Sequence, residues 1–333
     1  SYIMNRKVSV APMMDCTDKH ERYFLRLISK NVLLYTEMIV SEAIDRGDRE
    51  KLLSFNLEEK PVALQLGGSS PKLLSKAAKI GEEFGYDEIN LNLGCPSKKV
   101  QKNKFGACLI KEPKLVADCL SEMQSKTKLP VTVKTRIGYD QVEDYEHLFS
   151  FIKLLKSTGV KTFIIHARKA MLGKFTPKQN LNIPPLKYEM VYKLKKDFKE
   201  LNIIINGGIT SVEQIKNHIK NVDGAMMGRA IYHSPYLLAD IEKEIFKNEN
   251  VPSRQEVVEK LVMYLKNEIK KGTRVNQVMR HTLGLFHGQT GSNFWKRYLS
   301  ENMCVRDADI QKVDHILDKV KLNHVTQPTG QID

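Results

Sequence analysis

The sequence predicts an α/β fold, a (β/α)8 or TIM barrel, followed by a smaller all-helical domain. Eight strand-like runs alternate with helical patterns over roughly the first 230 residues, which is the element order of such a barrel. Several runs are continuously apolar, as parallel strands buried on both faces are. After Tyr236 only helical periodicity remains. We therefore predict a barrel over residues 1–238 and a helical domain over residues 239–333.

The strand-like runs are predicted at residues 8–13, 33–38, 61–67, 88–94, 131–138, 162–168, 203–209 and 224–230. The main competing fold, a doubly wound sheet, would carry a GxGxxG turn after its first strand. Residues 11–15 are instead Ala-Pro-Met-Met-Asp. The order of elements and this missing turn together favour the barrel.

Helix boundaries are marked by capping residues. Ser70 followed by proline begins a helix that Gly85 ends. Ser253 and Glu256 form a capping box at the start of a longer helix. A last helix is predicted over residues 307–322.

Composition narrows the class of protein. Hydrophobic residues make up 41% of the chain, as in ordinary globular domains, and no apolar run is long enough to span a membrane. The first residues lead into a strand pattern without a signal-peptide core. The five cysteines form no CxxC pair, which favours a reducing, cytoplasmic setting without disulfides or structural zinc. Nothing demands a dimer, so we expect a monomer that binds no metal.

The net charge of +14 favours a polyanionic partner. Its distribution is uneven, since three stretches contain basic residues and no acid. These acid-free windows are residues 89–111 with five basic residues, 147–188 with eight and 269–300 with six. Solvated faces usually mix both signs of charge. The windows therefore predict one positive surface, provided that the fold brings them together.

A cysteine follows the fourth predicted strand. Asn92, Gly94, Cys95 and Pro96 lie where the strand pattern stops, and a lysine-rich loop comes after them. A thiol at a strand end beside cations suggests acid or nucleophile chemistry on an anionic substrate. A buried cysteine that packs as a small hydrophobe is the alternative.

The carboxyl ends of barrel strands are where barrel enzymes place their active sites. Read in strand order, these ends carry Pro12, Met13, Met14, Gln65, Asn92, Cys95, Lys134, Arg136, His166, Arg168, Asn206, Gly207, Gly208, Gly228 and Arg229. The set contains cations, amides, one imidazole and one thiol. It contains no carboxylate pair, which argues against a glycosidase, and few ligands for a divalent metal.

Several of these residue types suit a phosphate-bearing flavin. Gly207, Gly208 and Arg229 follow strands 7 and 8, where barrels bind phosphate. Lys134 lies on a buried strand and requires an anion, such as the N1/O2 edge of a reduced flavin. Gln65 could pair with the pyrimidine edge of the flavin. His166 is either a satisfied core residue or a contact to cofactor or substrate.

A set of motifs occurs in a fixed order along the chain. They are Ala-Pro-Met-Met-Asp at 11–15, Ala-Leu-Gln-Leu-Gly-Gly at 63–68, Asn-Leu-Asn-Leu-Gly-Cys-Pro-Ser at 90–97, Val-Thr-Val-Lys-Thr-Arg-Ile-Gly at 131–138, Ile-His-Ala-Arg-Lys-Ala at 165–170, Ile-Asn-Gly-Gly-Ile at 205–209, Gly-Arg-Ala at 228–230 and Arg-His-Thr-Leu-Gly-Leu-Phe-His-Gly at 280–288, with Trp-Lys-Arg at 295–297. In this order the motifs resemble those of the bacterial tRNA-dihydrouridine synthases, most closely their A subfamily. The resemblance covers nearly the whole chain.

The resemblance implies an FMN enzyme that uses NADPH to reduce the C5–C6 bond of uridines in the tRNA D-loop, at positions 20 and 20a. Reduced FMN would supply hydride to C6, and Cys95 would protonate C5 from the opposite face. By matching position, FMN would contact Pro12, Met13, Met14, Gln65, Lys134, His166, Asn206, Gly207, Gly208, Gly228 and Arg229. We predict tRNA contacts at Asn92, Lys98, Lys99, Arg168, Lys169, Lys174, Arg280, Lys296 and Arg297.

Two departures from the family pattern concern one loop. Residues 180–182 are Asn-Leu-Asn where the subfamily usually has Asn-Arg-Glu, and Gly173 precedes Lys174 instead of following a basic or small residue. Two other functions stay open. A small-molecule pyrimidine reductase of the dihydroorotate type would share the barrel without needing the helical domain. An RNA-binding protein with a degenerate barrel would not need the flavin residues or Cys95.

Overall fold

Eight parallel strands form one sheet in the computed structural model, which describes residues 4–173, 183–303, 315–316 and 318. The strands are β1 (Val8–Val10), β2 (Leu34–Val40), β3 (Val62–Gly67), β4 (Glu88–Leu93), β5 (Val131–Arg136), β6 (Thr162–His166), β7 (Asn202–Asn206) and β8 (Gly224–Met227). Their order is β1-β8-β7-β6-β5-β4-β3-β2. A parallel bridge between Ser9 and Leu33 joins the two outermost strands, so the sheet is a nearly closed barrel, as predicted.

Several strands stop earlier than the apolar patterns suggested. The runs predicted to end at residues 13, 209 and 230 leave the sheet at Val10, Asn206 and Met227. The residues after these points form the loops at the carboxyl end of the barrel instead of extending the ladder. Apolar or small residues in a site loop resemble strand residues in a one-dimensional pattern, which explains the difference.

The helices of the described ranges are α1 (Lys19–Ile28), α2 (Ser41–Arg46), α3 (Arg49–Leu53), α4 (Pro71–Phe84), α5 (Lys98–Lys102), α6 (Pro113–Lys126), α7 (Tyr145–Lys156), α8 (Tyr188–Asp197), α9 (Val212–His218), α10 (Arg229–His233), α11 (Leu237–Glu244), α12 (Arg254–Lys270), α13 (Val275–Met279) and α14 (Ser292–Met303). None of these helices combines the length and apolar character that crossing a bilayer requires. The helix predicted over residues 307–322 falls almost entirely outside the described residues.

The predicted caps are confirmed. The Ser70 side chain accepts a hydrogen bond from the Leu73 backbone N–H at 3.2 Å, and Gly85 ends α4 with a φ of 102°. Ser253 and Glu256 form the capping box of α12. The lysine-rich segment after Cys95, predicted as a loop, is instead the short helix α5, because Ser97 caps it by accepting from the Val100 N–H.

The interior of the barrel is divided between apolar and polar side chains. Ala11, Leu33, Tyr35, Ala63, Ile164, Ile204 and Met226 form one buried apolar cluster. Gln65, Glu88, Asn90 and Thr132 on β3, β4 and β5 are also buried, although all are polar. Buried polar groups persist only when they are hydrogen-bonded. The polar half of the interior is therefore organised by specific partners.

The chain divides into two compact units. One consists of Ser1–Met14, Val32–Ile209 and Glu213–Met227, and the other of Asp15–Asn31, Thr210–Val212 and Gly228–Asp333. In the second unit, Tyr23 of α1 stacks on Tyr264 of α12 with ring centroids 3.9 Å apart. Glu242 of α11 accepts hydrogen bonds from Ser29 and Asn31 just after α1. The segment after β1 is thus part of the helical unit, which the sequence pattern did not reveal.

Candidate active site

Cys95 lies on a turn that the side chain of Asn92 holds. The Asn92 Oδ1 accepts hydrogen bonds from the backbone N–H groups of Gly94 and Cys95, each at 3.0 Å. Asn92 is only 9% exposed, whereas Cys95 is partly exposed. One buried amide therefore turns the chain out of β4 and leaves the thiol accessible.

Gly106 supports the same turn from the other side. Its φ is 76°, and an added Cβ would lie 2.5 Å from Val100 Cγ1 and 2.7 Å from the Cys95 carbonyl oxygen. The Ala107 N–H donates to that oxygen at 2.9 Å. Gly94 is less constrained, since a Cβ there would meet nothing nearer than 3.7 Å. The sequence shows a glycine at 106 but not its contact with Cys95.

Two cations on β5 lie near the Cys95 turn. Arg136 Nε donates to the Gly94 carbonyl oxygen at 2.8 Å. The Lys134 ammonium makes no hydrogen bond or ion pair with any described residue. Burial and the neighbouring Arg136 lower the pKa of Lys134 to about 8, although Cys95 acts in the opposite direction. Burial likewise lowers the pKa of Arg136, and Cys95 again opposes this effect. Cys95, Lys134 and Arg136 thus form one electrostatic group.

His166 and Gly207 are adjacent at the ends of β6 and β7. The Arg168 backbone N–H donates to His166 Nδ1 at 3.2 Å, so a neutral imidazole carries its proton on Nε2. Gly207 has a φ of 115°, and a Cβ there would lie 3.0 Å from Leu186 and 3.1 Å from the imidazole. Gly207 thus leaves space beside His166.

The other predicted cofactor residues differ in exposure. Gln65 is fully buried and hydrogen-bonded to Asn90 and Asn92. Asn206 is buried and donates to the Met226 carbonyl oxygen. Pro12 and Met13 are partly exposed, and Met14 and Gly208 are exposed. Gly228 and Arg229 directly follow β8 and belong to the second unit.

The predicted tRNA residues of the first unit are in different electrostatic states. Lys98 and Lys99 are exposed on α5 and pair with no described carboxylate. Lys169 forms an ion pair with Glu143 at 3.1 Å, and Arg168 donates to the Pro184 carbonyl oxygen at 2.6 Å. Lys174 lies outside the described residues.

The predicted tRNA residues of the second unit differ in the same way. Arg280 donates to Asp18 at 3.0 Å and to the Asp15 carbonyl oxygen at 2.7 Å. Burial alone would raise the pKa of Asp18, but His281 and the Glu21 N–H lower it to about 2. Arg280 therefore also serves the packing of this unit.

Lys296 and Arg297 on α14 are exposed and form no ion pair with a described carboxylate. The buried Trp295 beside them anchors the helix by donating from Nε1 to the Thr282 carbonyl oxygen at 2.9 Å. The two cations thus project from a helix that Trp295 anchors.

The donor set at this barrel end suits an anionic cofactor. Lys134 offers a cation without a described partner, and Gly207 and Gly208 present backbone in the left-handed region. In the described part of the chain, no group of His, Cys, Asp or Glu is placed to hold a metal ion. A flavin bearing a phosphate is compatible with these residues, because it would supply the negatively charged partner that Lys134 lacks.

The chain is similar to known proteins over most of its length. The family model described as dihydrouridine synthase matches residues 9–321. The chain is similar to proteins named tRNA-dihydrouridine(20/20a) synthase. It is 53% identical to the one from Synechocystis sp. over 90% of both chains, 49% identical to that of Shewanella oneidensis over 97% of both, and 50% identical to that of Escherichia coli over 93% of this chain and 90% of the relative.

Among solved structures, a 2-naphthoyl-CoA reductase in complex with 2-naphthoyl-CoA superposes with a TM-score of 0.53 at 12% identity. The match covers 72% of this chain and half of the length of that one. At this identity the likeness concerns the fold alone.

Proposed function

The chain belongs to the dihydrouridine synthase family, and on that premise we propose that it reduces uridines 20 and 20a of the tRNA D-loop to dihydrouridine, with FMN as cofactor and NADPH as reductant. The names of its relatives support the substrate and the positions. The observation that carries the chemistry is the group formed by Cys95, Lys134 and Arg136. We further propose that the protein acts in the cytoplasm and that it is a monomer. We also propose that it binds no metal.

We propose that Lys134, Gln65, His166, Asn206, Gly207 and Gly208 hold FMN, together with Pro12, Met13, Met14, Gly228 and Arg229. When bound and reduced by NADPH, FMN would supply the hydride that C6 of the uracil accepts. The Lys134 ammonium would pair with negative charge on the cofactor. This cation, which has no described partner, would thereby gain one. The Nε2–H of His166 is a donor that could orient the cofactor or the base.

Cys95 would donate the proton that C5 requires. For this the thiol has to keep its proton until the base is reduced. Lys134 and Arg136 lie beside the Cys95 turn. The same two cations would stabilise the negative charge that develops on the uracil as C6 is reduced. Asn92 and Gly106 would hold the sulfur in place.

The target base has to leave its stack in the tRNA to reach this site. Flipping a base costs roughly a few kcal/mol. Lys98 and Lys99 lie close to Cys95 in sequence and are exposed without a described acidic partner, so they are available for phosphates. We propose that they act with Arg168, Lys169, Lys174, Arg280, Lys296 and Arg297 and with Asn92 in tRNA binding, and that residues 239–333 serve mainly this purpose.

The proposal is tested with purified protein and tRNA that lacks dihydrouridine. We expect a yellow protein whose flavin absorbance is bleached by NADPH, and dihydrouridine at positions 20 and 20a after incubation with the tRNA. Protein that takes up no FMN would refute the proposal. Reduction of free uracil or orotate without activity on tRNA would support the small-molecule reductase instead.

Replacing both Lys296 and Arg297 with Ala is expected to weaken tRNA binding about tenfold and to lower the slope of log affinity against log salt by about 2. The reason is that two phosphate contacts are lost. Fluorescence anisotropy with labelled tRNA at several KCl concentrations measures both quantities. Flavin bleaching by NADPH should not change.

The matched control replaces Lys243 of α11 and Lys260 of α12, which are also exposed, carry the same total charge and lie outside the acid-free windows. If both double variants lose affinity equally, the effect comes from net charge. In that case, the assignment of α14 to the tRNA interface is wrong.

A further inference from the structure

A continuous chain of hydrogen bonds runs through the polar half of the barrel interior. Asn92 Nδ2 donates to Gln65 Oε1 at 3.0 Å, and Gln65 Nε2 donates to Asn90 Oδ1 at 2.9 Å. Asn90 Nδ2 donates to Thr132 Oγ1 at 2.8 Å, and Thr132 Oγ1 donates to Glu88 Oε2 at 2.8 Å. The chain therefore links the Cys95 turn with the first residue of β4, at the opposite end of the strand.

Every hydrogen bond in this chain of hydrogen bonds runs in the same direction, with the donor towards the Cys95 turn and the acceptor towards Glu88. At the upper end, the backbone N–H groups of Gly94 and Cys95 can only donate, so Asn92 has to present its oxygen to them. At the lower end, an ionised Glu88 can only accept. Each amide between these ends has one orientation that satisfies both neighbours, and the Thr132 hydroxyl has one direction.

The Glu88 carboxylate is held as an acceptor. It forms an ion pair with Arg6 and accepts a second hydrogen bond from Tyr35 at 2.7 Å. Burial and the neighbouring Glu88 raise the pKa of Tyr35 well above its usual value, so Tyr35 stays a neutral donor. Glu88 is fully buried and has three donors around it. The end of the chain is thus fixed by charge.

We propose that Glu88, Thr132 and Asn90 are positioning residues for Cys95. A reversed Asn92 amide would direct its NH2 group at two backbone N–H groups and leave both without an acceptor, which is unfavourable for buried groups. Reversal would also require Gln65, Asn90 and Thr132 to turn, and Glu88 blocks the last of these steps. The chain thereby keeps the Cys95 turn in one conformation. This inference rests on the proposed function of Cys95 as the proton donor.

Thr132 is the residue at which this chain is best interrupted. Thr132→Val removes the hydroxyl with little change of shape, and Thr132→Ser restores it. The rate of alkylation of Cys95 by iodoacetamide, measured on its peptide by mass spectrometry, is expected to rise severalfold in Thr132→Val and to return in Thr132→Ser. Single-turnover dihydrouridine formation with pre-reduced enzyme should fall about tenfold, as when supporting groups of active sites are removed. Flavin reduction by NADPH should be retained.

A double-mutant cycle separates positioning from general damage. If Thr132 acts through Cys95, then Thr132→Val lowers product formation in the wild type but changes it less than about twofold when Cys95 is already Ala. Equal losses in both backgrounds would overturn the proposal. An equal loss of flavin reduction would also overturn it, because the variant would then act through Gln65.

Tyr86→Phe is the matched control, since it removes a buried hydrogen bond outside the chain, to the Leu53 carbonyl oxygen at 2.8 Å. It should leave Cys95 alkylation unchanged. If Thr132→Val does not fold, Thr132→Ala removes the same hydroxyl with the same expectations. Alkylation depends on the turn and not on the reaction. Wild-type enzyme that forms no dihydrouridine on tRNA would refute the proposed function, whereas wild-type alkylation in Thr132→Val would refute the positioning chain.

Discussion

Replacing Cys95 with Ala is expected to lower the rate of dihydrouridine formation by about 10²–10⁴-fold, which is the usual contribution of a positioned general acid. Reduction of the flavin by NADPH should proceed at the wild-type rate, because the thiol takes no part in that step. Single-turnover assays with tRNA and separate bleaching of the flavin absorbance measure the two steps.

Cys108→Ala provides the control. Cys108 is also partly exposed, donates to the Phe105 carbonyl oxygen at 3.1 Å and has a pKa that burial raises. It follows the Cys95 turn in the same acid-free window but has no contact with Lys134 or Arg136 among the described interactions. Full product yield from Cys95→Ala, or equal impairment of the two variants, would exclude Cys95 as the acid.

Replacing Lys134 with Met is expected to weaken FMN binding by about 10- to 100-fold, in line with the roughly 1.5–3 kcal/mol of a hydrogen bond to a charged group. The same substitution should raise the melting temperature of the cofactor-free protein, because it removes a partly buried cation that has no described partner. Fluorescence titration with FMN and thermal unfolding measure the two effects. A less stable variant with unchanged FMN affinity would contradict the role assigned to Lys134.

The lowered pKa of Lys134 determines how the stability of the cofactor-free protein and its affinity for FMN change with pH. This pKa is about 8 in the folded protein and 10.5 as the ordinary value, so the unfolded chain binds the proton more tightly. The free energy of unfolding of the cofactor-free protein should therefore rise as pH rises from about 8 to 10.5. Below about pH 8 the lysine is charged in both states, and its burial lowers the stability in full. FMN affinity should fall as pH rises above about 8, because the ammonium loses its charge. In Lys134→Met both dependences should be weaker.

Lys111→Met is the matched control for charge and size. Lys111 is exposed and lies over the Tyr139 ring, 5.4 Å from its centroid. It belongs to the acid-free window that contains Cys95, but it has no assigned cofactor contact. Its substitution should change neither FMN affinity nor the pH profile.

The barrel could be predicted from the sequence because its signals are local. Apolar runs, capping residues and glycines repeat in the order of eight strands and their helices. The residues at the predicted strand ends provided the candidate site residues around Cys95. Strand lengths were less accurate at β1, β7 and β8, where loop residues continue the apolar pattern. The place of residues 15–31 in the helical unit could not be predicted, because it depends on contacts such as Tyr23 with Tyr264.

Charge pairing shows most clearly what the tertiary structure alone decides. The acid-free windows are properties of the sequence, yet Glu143 neutralises Lys169, and Asp18 engages Arg280, from outside those windows. No such described partner exists for Lys98, Lys99, Lys296 and Arg297. The sequence alone predicted the same role in tRNA binding for all of these cations.

By itself, the sequence determined the fold and the position of the thiol at the end of β4, because strand periodicity and turn residues act over a few neighbouring positions. The tertiary structure decided how that thiol is held. Gly106 contacts the Cys95 turn, and Thr132 and Glu88 orient the amides beneath it. Hydrogen bonds and ion pairs form between groups that are close in space, and closeness between distant segments is established only when the chain has folded.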